Sequence, residues 1–360
     1  MIGISLLTLV PGIVGGSETY ARELVRALAR VGTLPYRVFV PTIAEDAGDG
    51  LPSRTITAYR ASRSMSGRAL AMSRAAFAPG RILEQFEIDE LDAVHFPLNV
   101  MLPRVRRPPA VATVLDIQHV FFPQFFPRSE RAYRRLVYGW TVRLARRVIA
   151  PSVHVKETLV ERFGVDADKI RVVHLGLDHA SLRPGDGERE PFLLYPANPW
   201  PHKNHERLFE ALALVRRKRP ELRLVLTGTG HEGRPVPPGV DVRGRVPDDE
   251  LVRLYQRASA LIFPSLYEGF GQPPLEAMAC GCPVAVSNAG SLPEVCGDAA
   301  RYFDPFSVEA IAEAIEVVLE RPGDLVAKGL ARAARFTWDE TATRHEAVYR
   351  EVIPLASRAE

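Results

Sequence analysis

Cysteine is scarce: three residues in 360, all in the last third as Cys280, Cys282 and Cys296. An odd number without framework spacing excludes a disulfide-stapled secreted scaffold and points to reduced thiols in a cytosolic setting. The Cys280-x-Cys282 pair has no His or further Cys at supporting spacing, so buried packing at a helix end and a strand start is preferred over a metal site. Long apolar runs are missing too. None approaches the roughly 20 residues that a membrane-spanning helix needs. The opening Ile2-Gly3-Ile4-Ser5-Leu6-Leu7 lacks the basic leader of a secretory signal. Zinc-finger spacing, RNP-type aromatic patterns and basic-region helices are absent, so no nucleic-acid partner is expected. The expected location is cytoplasmic, at most peripheral to a membrane.

What is present is ordinary for a globular chain: 46% hydrophobic and 25% charged residues. A chain of this length exceeds what one hydrophobic core usually supports, so two domains are expected. The net charge of +3 is unevenly spread. Residues 1–185 hold 25 Lys and Arg against 17 Asp and Glu, and the remainder 21 against 26. A basic half beside an acidic half suggests an anionic substrate or partner near the first.

Short β-branched runs alternate with amphipathic stretches, the pattern of parallel sheets with crossover helices. In the first half, strands are predicted at Ile4–Val10, Val38–Val40, Ala93–Phe96, Val111–Leu115, Val148–Ala150 and Arg171–Leu175. Helices are predicted at Ser17–Arg30, about Ser66–Phe86, Arg131–Arg147 and Val155–Phe163. A second series follows the polar stretch Gly185-Asp186-Gly187-Glu188-Arg189-Glu190, with strands from Phe192–Tyr195 to Ala300–Phe303. The expected fold class is therefore α/β, with two Rossmann-like doubly wound domains, residues 1–184 and 185–339, facing across a cleft. Such sheets take ligands beyond the carboxyl ends of their strands, which directs attention to the residues just after each strand.

Four such places carry chemistry. Gly15-Gly16 opens the first helix, where backbone N–H groups and the helix dipole favour a phosphate; a plain tight turn fits that segment equally well. His119 follows the strand at Val111–Leu115 and is suited to a sugar hydroxyl or a leaving oxygen, though a lone histidine is more often structural. Lys203, in Pro201-His202-Lys203-Asn204, sits at a helix start, where its charge opposes the dipole unless an anion lies between them. The richest stretch is Pro264-Ser265-Leu266-Tyr267-Glu268-Gly269-Phe270-Gly271-Gln272-Pro273-Pro274-Leu275-Glu276. Glu268 lies just past a strand in a glycine-rich turn, and Glu276 is expected near a helix start. Carboxylates there suit paired ring hydroxyls.

Together these motifs resemble the retaining glycosyltransferases of family 4, of the GT-B fold, over nearly the whole chain. The resemblance rests on the E-x7-E motif from Glu268 to Glu276, the Gly15-Gly16 loop, Asp116-x-x-His119, the PHKN segment, Gly290-Ser291-Leu292-Pro293-Glu294 and the closing FTWDETATRHEAVYRE. It implies that Glu268 and the backbone of Gly269, Phe270 and Gly271 hold the donor sugar, with Leu275 beside them in the donor site. It puts Glu276 on the nucleotide ribose, Gly15, Gly16 and Lys203 at the diphosphate, and His119 at outer sugar hydroxyls. A last helix, about residues 340–360, would return to the first domain. Family members often carry Arg five residues before the lysine; Asn198 stands there, as in a mannosyl-type subset, and the loss of that charge weakens the diphosphate cradle unless His202 or a cleft arginine compensates. The reaction implied is transfer of a hexose, best guess mannose from GDP-mannose, by same-face substitution, with Glu268, His119 and Lys203 as the catalytic set. UDP-sugars stay open as donors, and the acceptor is a hydroxyl of a glycan, lipid-linked or small molecule, as in polysaccharide biosynthesis. The alternatives are a non-hydrolysing nucleotide-sugar epimerase and a non-catalytic nucleotide-sugar-binding relative.

No cofactor or metal is expected besides the nucleotide-sugar co-substrate. Asp166-Ala167-Asp168 has the spacing of a metal-chelating Asp-x-Asp but reads as turn chemistry. Residues 128–147 hold seven arginines. On a helix Tyr133, Leu136, Val137, Trp140 and Leu144 share a face opposite Arg131, Arg135 and Arg146. That is a solvated face over a core, or a peripheral contact with an anionic membrane.

Overall fold

The structure, a computed structural model, describes residues 1–13 and 15–353. It divides into two compact units, one of Met1–Gly176 with the segment from Trp338 onward, the other of Leu177–Thr337. The first contains β1 (Ile2–Ser5), α1 (Gly16–Val31), β2 (Tyr36–Val40), β3 (Ser53–Thr55), α2 (Met65–Phe77), α3 (Gly80–Phe86), β4 (Ala93–Phe96), β5 (Ala110–Thr113), α4 (Gln118–Phe121), α5 (Arg128–Leu144), β6 (Arg147–Ala150), α6 (Val153–Phe163) and β7 (Ile170–Val172). The second contains β8 (Glu190–Pro196), α7 (His205–Val215), β9 (Arg223–Thr227), β10 (Val240–Val242), α8 (Asp248–Arg257), β11 (Ala258–Phe263), α9 (Gln272–Ala279), β12 (Val284–Ser287), α10 (Leu292–Cys296), β13 (Arg301–Phe303), α11 (Val308–Glu320) and α12 (Pro322–Ala333); α13 (Trp338–Val352) rejoins the first unit.

Both sheets are parallel and doubly wound. The first runs β3-β2-β1-β4-β5-β6-β7 and the second β10-β9-β8-β11-β12-β13. Parallel strands covered by helices on both faces are built from uninterrupted apolar residues; β4, β5 and β12 are buried at every position. In each sheet the order reverses beside the first strand, between β1 and β4 and between β8 and β11. A reversal sends the loops leaving those two strands to opposite faces and opens a crevice at their carboxyl ends. The loop after β1 carries Gly15 and Gly16. Those after β8 and β11 carry Lys203 and Glu268.

Several sequence expectations change. The helix expected over Ser66–Phe86 is two, α2 and α3, separated at Ala78-Pro79 because proline disfavours a helical residue before it. The strand expected over Ile4–Val10 begins at Ile2 and stops at Ser5; Leu6, Leu7, Leu9 and Val10 are apolar because the turn itself is buried. The short edge strand β3 and helices α10 and α12 carry patterns too brief or too mixed to stand out. On α5 the sheet takes the neighbouring arc, Val137, Tyr138, Thr141 and Val142, and leaves Tyr133 and Leu136 exposed. Trp140 on that flank is stacked by Arg104 at 5.0 Å.

Helix α13 is fastened to the first sheet by a buried polar chain. Tyr349 Oη lies 2.8 Å from His95 Nδ1, His95 Nε2 lies 2.8 Å from Thr113 Oγ1, and Tyr20 Oη joins Thr113 Oγ1 (2.9 Å) to His345 Nε2 (2.8 Å). His345 Nδ1 lies 2.8 Å from the Thr341 carbonyl. Burial holds both imidazoles neutral: His345 is lowered to about 4, and His95 falls well below the ordinary value, by burial and then by His345. An unfolded histidine takes its proton near pH 6.5. The unfolded state therefore binds more protons below that value, and stability drops as pH falls from about 6.5 toward 4. The unfolding temperature is expected to fall steadily over this interval. His345→Gln should be less stable at neutral pH by about 1–3 kcal/mol and show a shallower acid decline, both read from thermal unfolding across pH.

Candidate active site

The site in the second unit starts from two loops that leave adjacent strands at the reversal point. After β8 the chain passes Asn198 and makes a single 3-10 turn, Pro201–Lys203, before α7. Asn204 ends that turn in the left-handed conformation (φ 60°), which asparagine tolerates better than most side chains. Its buried amide donates to the carbonyls of Pro264 (3.1 Å) and Pro305 (2.7 Å), in the loops after β11 and β13. Tyr195, on β8, donates to the Lys203 carbonyl at 2.7 Å, and Leu266 N donates to the His202 carbonyl at 2.7 Å. The lysine turn is thus fixed on three sides by groups far from it in sequence.

Its side chain meets Glu268. Lys203 Nζ donates to Glu268 Oε1 at 2.6 Å, with only 18% and 14% of the two side chains exposed, and the ammonium stands 5.2 Å from the Phe263 ring centre. Removing either partner would strand a half-buried charge. The charge conflict expected at the start of α7 is resolved in this structure by the carboxylate. Asn198 Oδ1 accepts from Thr229 N at 2.8 Å and ties the loop after β8 to the loop after β9. His202 is buried and lowered to about 4, by burial first and Lys203 second. It is neutral at pH 7 and does not supply the charge that an arginine at position 198 would.

The Glu268 turn is braced from behind. Ser291 Oγ donates to the carbonyls of Glu268 (3.0 Å) and Phe270 (2.8 Å). Gly290 comes so close that a Cβ there would lie 2.9 Å from both Glu268 N and O. Gly271 caps α9 in the left-handed region. Proline at 273 and 274 removes two N–H groups from the first turn, so backbone donors for an anion come from the residues before them. Leu275 is fully buried. Glu276 is the fifth residue of α9, not at its start, so the N-terminal dipole reaches it weakly. Its half-buried carboxylate accepts from Tyr255 Oη at 2.8 Å, and burial, with Asp248 adding to it, raises its pKa.

The first unit places the remaining residues at the carboxyl edge of its own sheet. Gly15 caps α1 at φ 56°, ψ −133°, a conformation that favours glycine, and nothing lies within 4 Å of a Cβ built on Gly15 or Gly16. The backbone there is open to a ligand. His119, on the short α4, is 5% exposed, and both its ring nitrogens are buried without a hydrogen-bond partner among the described residues. Tyr138 meets it edge-on at 5.2 Å. Burial, then the charge of Arg134, lowers it to about 4. Sequence reasoning did not single out Tyr195, Asn204, Tyr255 or the brace from Ser291. Their partners lie 8 to 101 residues away.

Comparison with known proteins follows the same outline. The pattern of the family "Glycosyl transferases group 1" matches residues 183–335, and that of "Glycosyltransferase Family 4" matches residues 14–181. O-antigen chain mannosyltransferase B of Escherichia coli is 31% identical over 283 residues, 71% of this chain and 74% of that protein. Among solved structures, sucrose-phosphate synthase from Thermosynechococcus elongatus superposes with a TM-score of 0.74 at 20% identity, covering 98% of each chain. Anabaena Alr3699/HepE in complex with UDP-glucose gives 0.70 at 16% identity, covering 97% of this chain and 99% of that one. These likenesses at low identity establish the GT-B-like fold. The chain belongs to glycosyltransferase family 4, a family of retaining enzymes that draw on nucleotide-sugar donors.

Gly290 tests the brace. Gly290→Ala puts a methyl group against the Glu268 backbone at a φ of +62°. Transferase turnover is expected to fall at least about tenfold through displacement of that loop, while the unfolding temperature changes by only a few degrees, about 1–2 kcal/mol. Full turnover would show that the Glu268 loop need not sit where Gly290 holds it.

Proposed function

We propose that this enzyme moves mannose from GDP-mannose, with retention, to a hydroxyl of a glycan, lipid-linked or small-molecule acceptor. The observation that carries the donor site is the Lys203–Glu268 pair at the reversal point of the second sheet. An ammonium and a carboxylate held 2.6 Å apart neutralise each other. A nucleotide sugar supplies a partner for each: its diphosphate draws the ammonium, and its sugar hydroxyls donate to the carboxylate. Glu276, with one oxygen already on Tyr255, keeps the other for a ribose hydroxyl. In the first unit, the open backbone at Gly15 and Gly16 suits a phosphate, and a sugar hydroxyl would give one of the two His119 ring nitrogens, which have no hydrogen-bond partner among the described residues, a partner.

Catalysis is then positioning and charge stabilisation. As the glycosidic bond breaks, negative charge builds on the leaving phosphate, and Lys203 with nearby amides stabilises it. The leaving phosphate accepts the acceptor's proton on the same face, and Glu268 orients the sugar and does not attack the anomeric carbon. Neutral His119 acts as a hydrogen-bonding group, not as a cation. Mannose is supported by the mannosyltransferase likeness of the relative at 31% identity and by Asn198 before the PHKN segment. Metal independence is supported by Asp166, whose carboxylate caps its own turn by accepting from Asp168 N at 2.9 Å.

Incubation with GDP- and UDP-sugars, with and without acceptors, tests the reading through nucleotide release. GDP-mannose is expected to be the preferred donor, with activity unchanged by EDTA; preference for a UDP-sugar, or a requirement for added divalent metal, contradicts it. Lys203→Ala should lower turnover by about 10²-fold or more, as expected for loss of one preorganised donor. Near-wild-type turnover in that variant would remove Lys203 from the mechanism.

A further inference from the structure

At the opposite edge of the first sheet lies a cavity of about 660 Å³, lined by Arg106, Arg143, Arg146, Arg147, Lys169 and Arg171. Ala110 and Arg147, the first residues of β5 and β6, form part of its wall, so it opens at the amino ends of the strands. The loop with Gly15 and Gly16 leaves the carboxyl end of β1, and every neighbouring pair in this sheet is parallel. The cavity and that loop therefore occupy opposite edges.

Six cations face three carboxylates. Asp166 and Asp168 line the cavity, and Glu351 binds Arg147 Nε (2.7 Å) and Arg171 Nη2 (2.8 Å). Asp166 is occupied as the cap of its turn. Among the described residues, Arg106, Arg143 and Arg146 have no carboxylate partner, and all three are exposed. Lys169 Nζ donates to the Arg143 carbonyl at 2.9 Å, and its ammonium is held below the ordinary range by burial, then by Arg146 and Arg147. A helix C-terminus stabilises nearby cations, which accounts for Arg143 and Arg146 at the end of α5. It does not account for Arg106, Lys169 and Arg171, which come from other elements to the same cavity. Like charges gathered this way repel one another, and an anion among them relieves that repulsion.

We propose that this cavity binds an anion bearing two or more phosphate groups, held by the unpaired guanidinium groups of Arg106, Arg143 and Arg146. Guanidinium groups on two separate segments, the one leading into β5 and the end of α5, match separated phosphates, each of which can take paired N–H donors. The phosphates come either from a soluble polyphosphate-bearing molecule or from anionic lipid headgroups. The site stands independently of the donor assignment in the second unit.

Calorimetry of the full-length protein with inorganic tripolyphosphate at low salt tests it. Arg106→Ala/Arg143→Ala/Arg146→Ala is expected to weaken binding about 30-fold or more, and the matching triple lysine variant to retain more of it. Lys203→Ala should leave cavity binding in place, and the triple alanine variant should keep wild-type thermal stability and nucleotide release. Co-sedimentation with phosphatidylglycerol vesicles distinguishes the sources. Loss of tripolyphosphate binding in the triple variant supports a soluble ligand, and loss of vesicle binding alone supports lipid headgroups. If the triple alanine variant binds both probes as the wild type does, or if binding is lost only in Lys203→Ala, the proposal is overturned.

Discussion

The second unit is organised around one contact, the 2.6 Å pair between Lys203 and Glu268. Two opposite charges with little exposure are costly to separate and costly to leave unpaired, so the loops bearing them must be held firmly. The strand order provides this. Because β8 and β11 are neighbours whose loops diverge, Lys203 and Glu268 come from segments 65 residues apart yet share one crevice. The sheet itself brings the charges together.

Around the pair, neutral hydrogen bonds set the geometry. Asn204 reaches two loops at once, Tyr195 holds the Lys203 carbonyl, and Ser291 holds the carbonyls of Glu268 and Phe270. All are satisfied and largely buried, the condition under which polar groups rigidify a site. In the first unit the contrast is informative. The chain of Tyr349, His95, Thr113, Tyr20 and His345 is closed on itself and fastens a helix, whereas the buried ring of His119 has no hydrogen-bond partner among the described residues. A closed network is structural.

Much of this was legible in the sequence because parallel α/β sheets leave two strong traces. The apolar run Ala93–Phe96 coincides with an observed strand, Phe192–Tyr195 lies within another, and such runs mark where the loops after them begin. The fold class and the position of Lys203 and Glu268 in strand-exit loops follow from that periodicity. What periodicity does not encode is which residue touches which at long range. Nothing local marks Ser291 as a brace for residue 268, or Tyr255 as the partner of Glu276. The face of α5 was also open to misreading, since two adjacent arcs of its wheel are apolar and only the sheet decides between them. Glu276 was displaced in expectation because two prolines open α9 and lengthen it toward its amino end, placing the carboxylate in the second turn.

Family membership fixes the class of reaction, while the proposed donor site rests on exchange of the salt bridge for a ligand. A crystal structure with GDP-mannose bound measures that exchange directly. The account predicts Lys203 Nζ on a diphosphate oxygen and Glu268 accepting from hydroxyls of the sugar, with the bond between the two residues broken or lengthened. A bound donor that leaves the pair intact and makes no contact with either residue would contradict it.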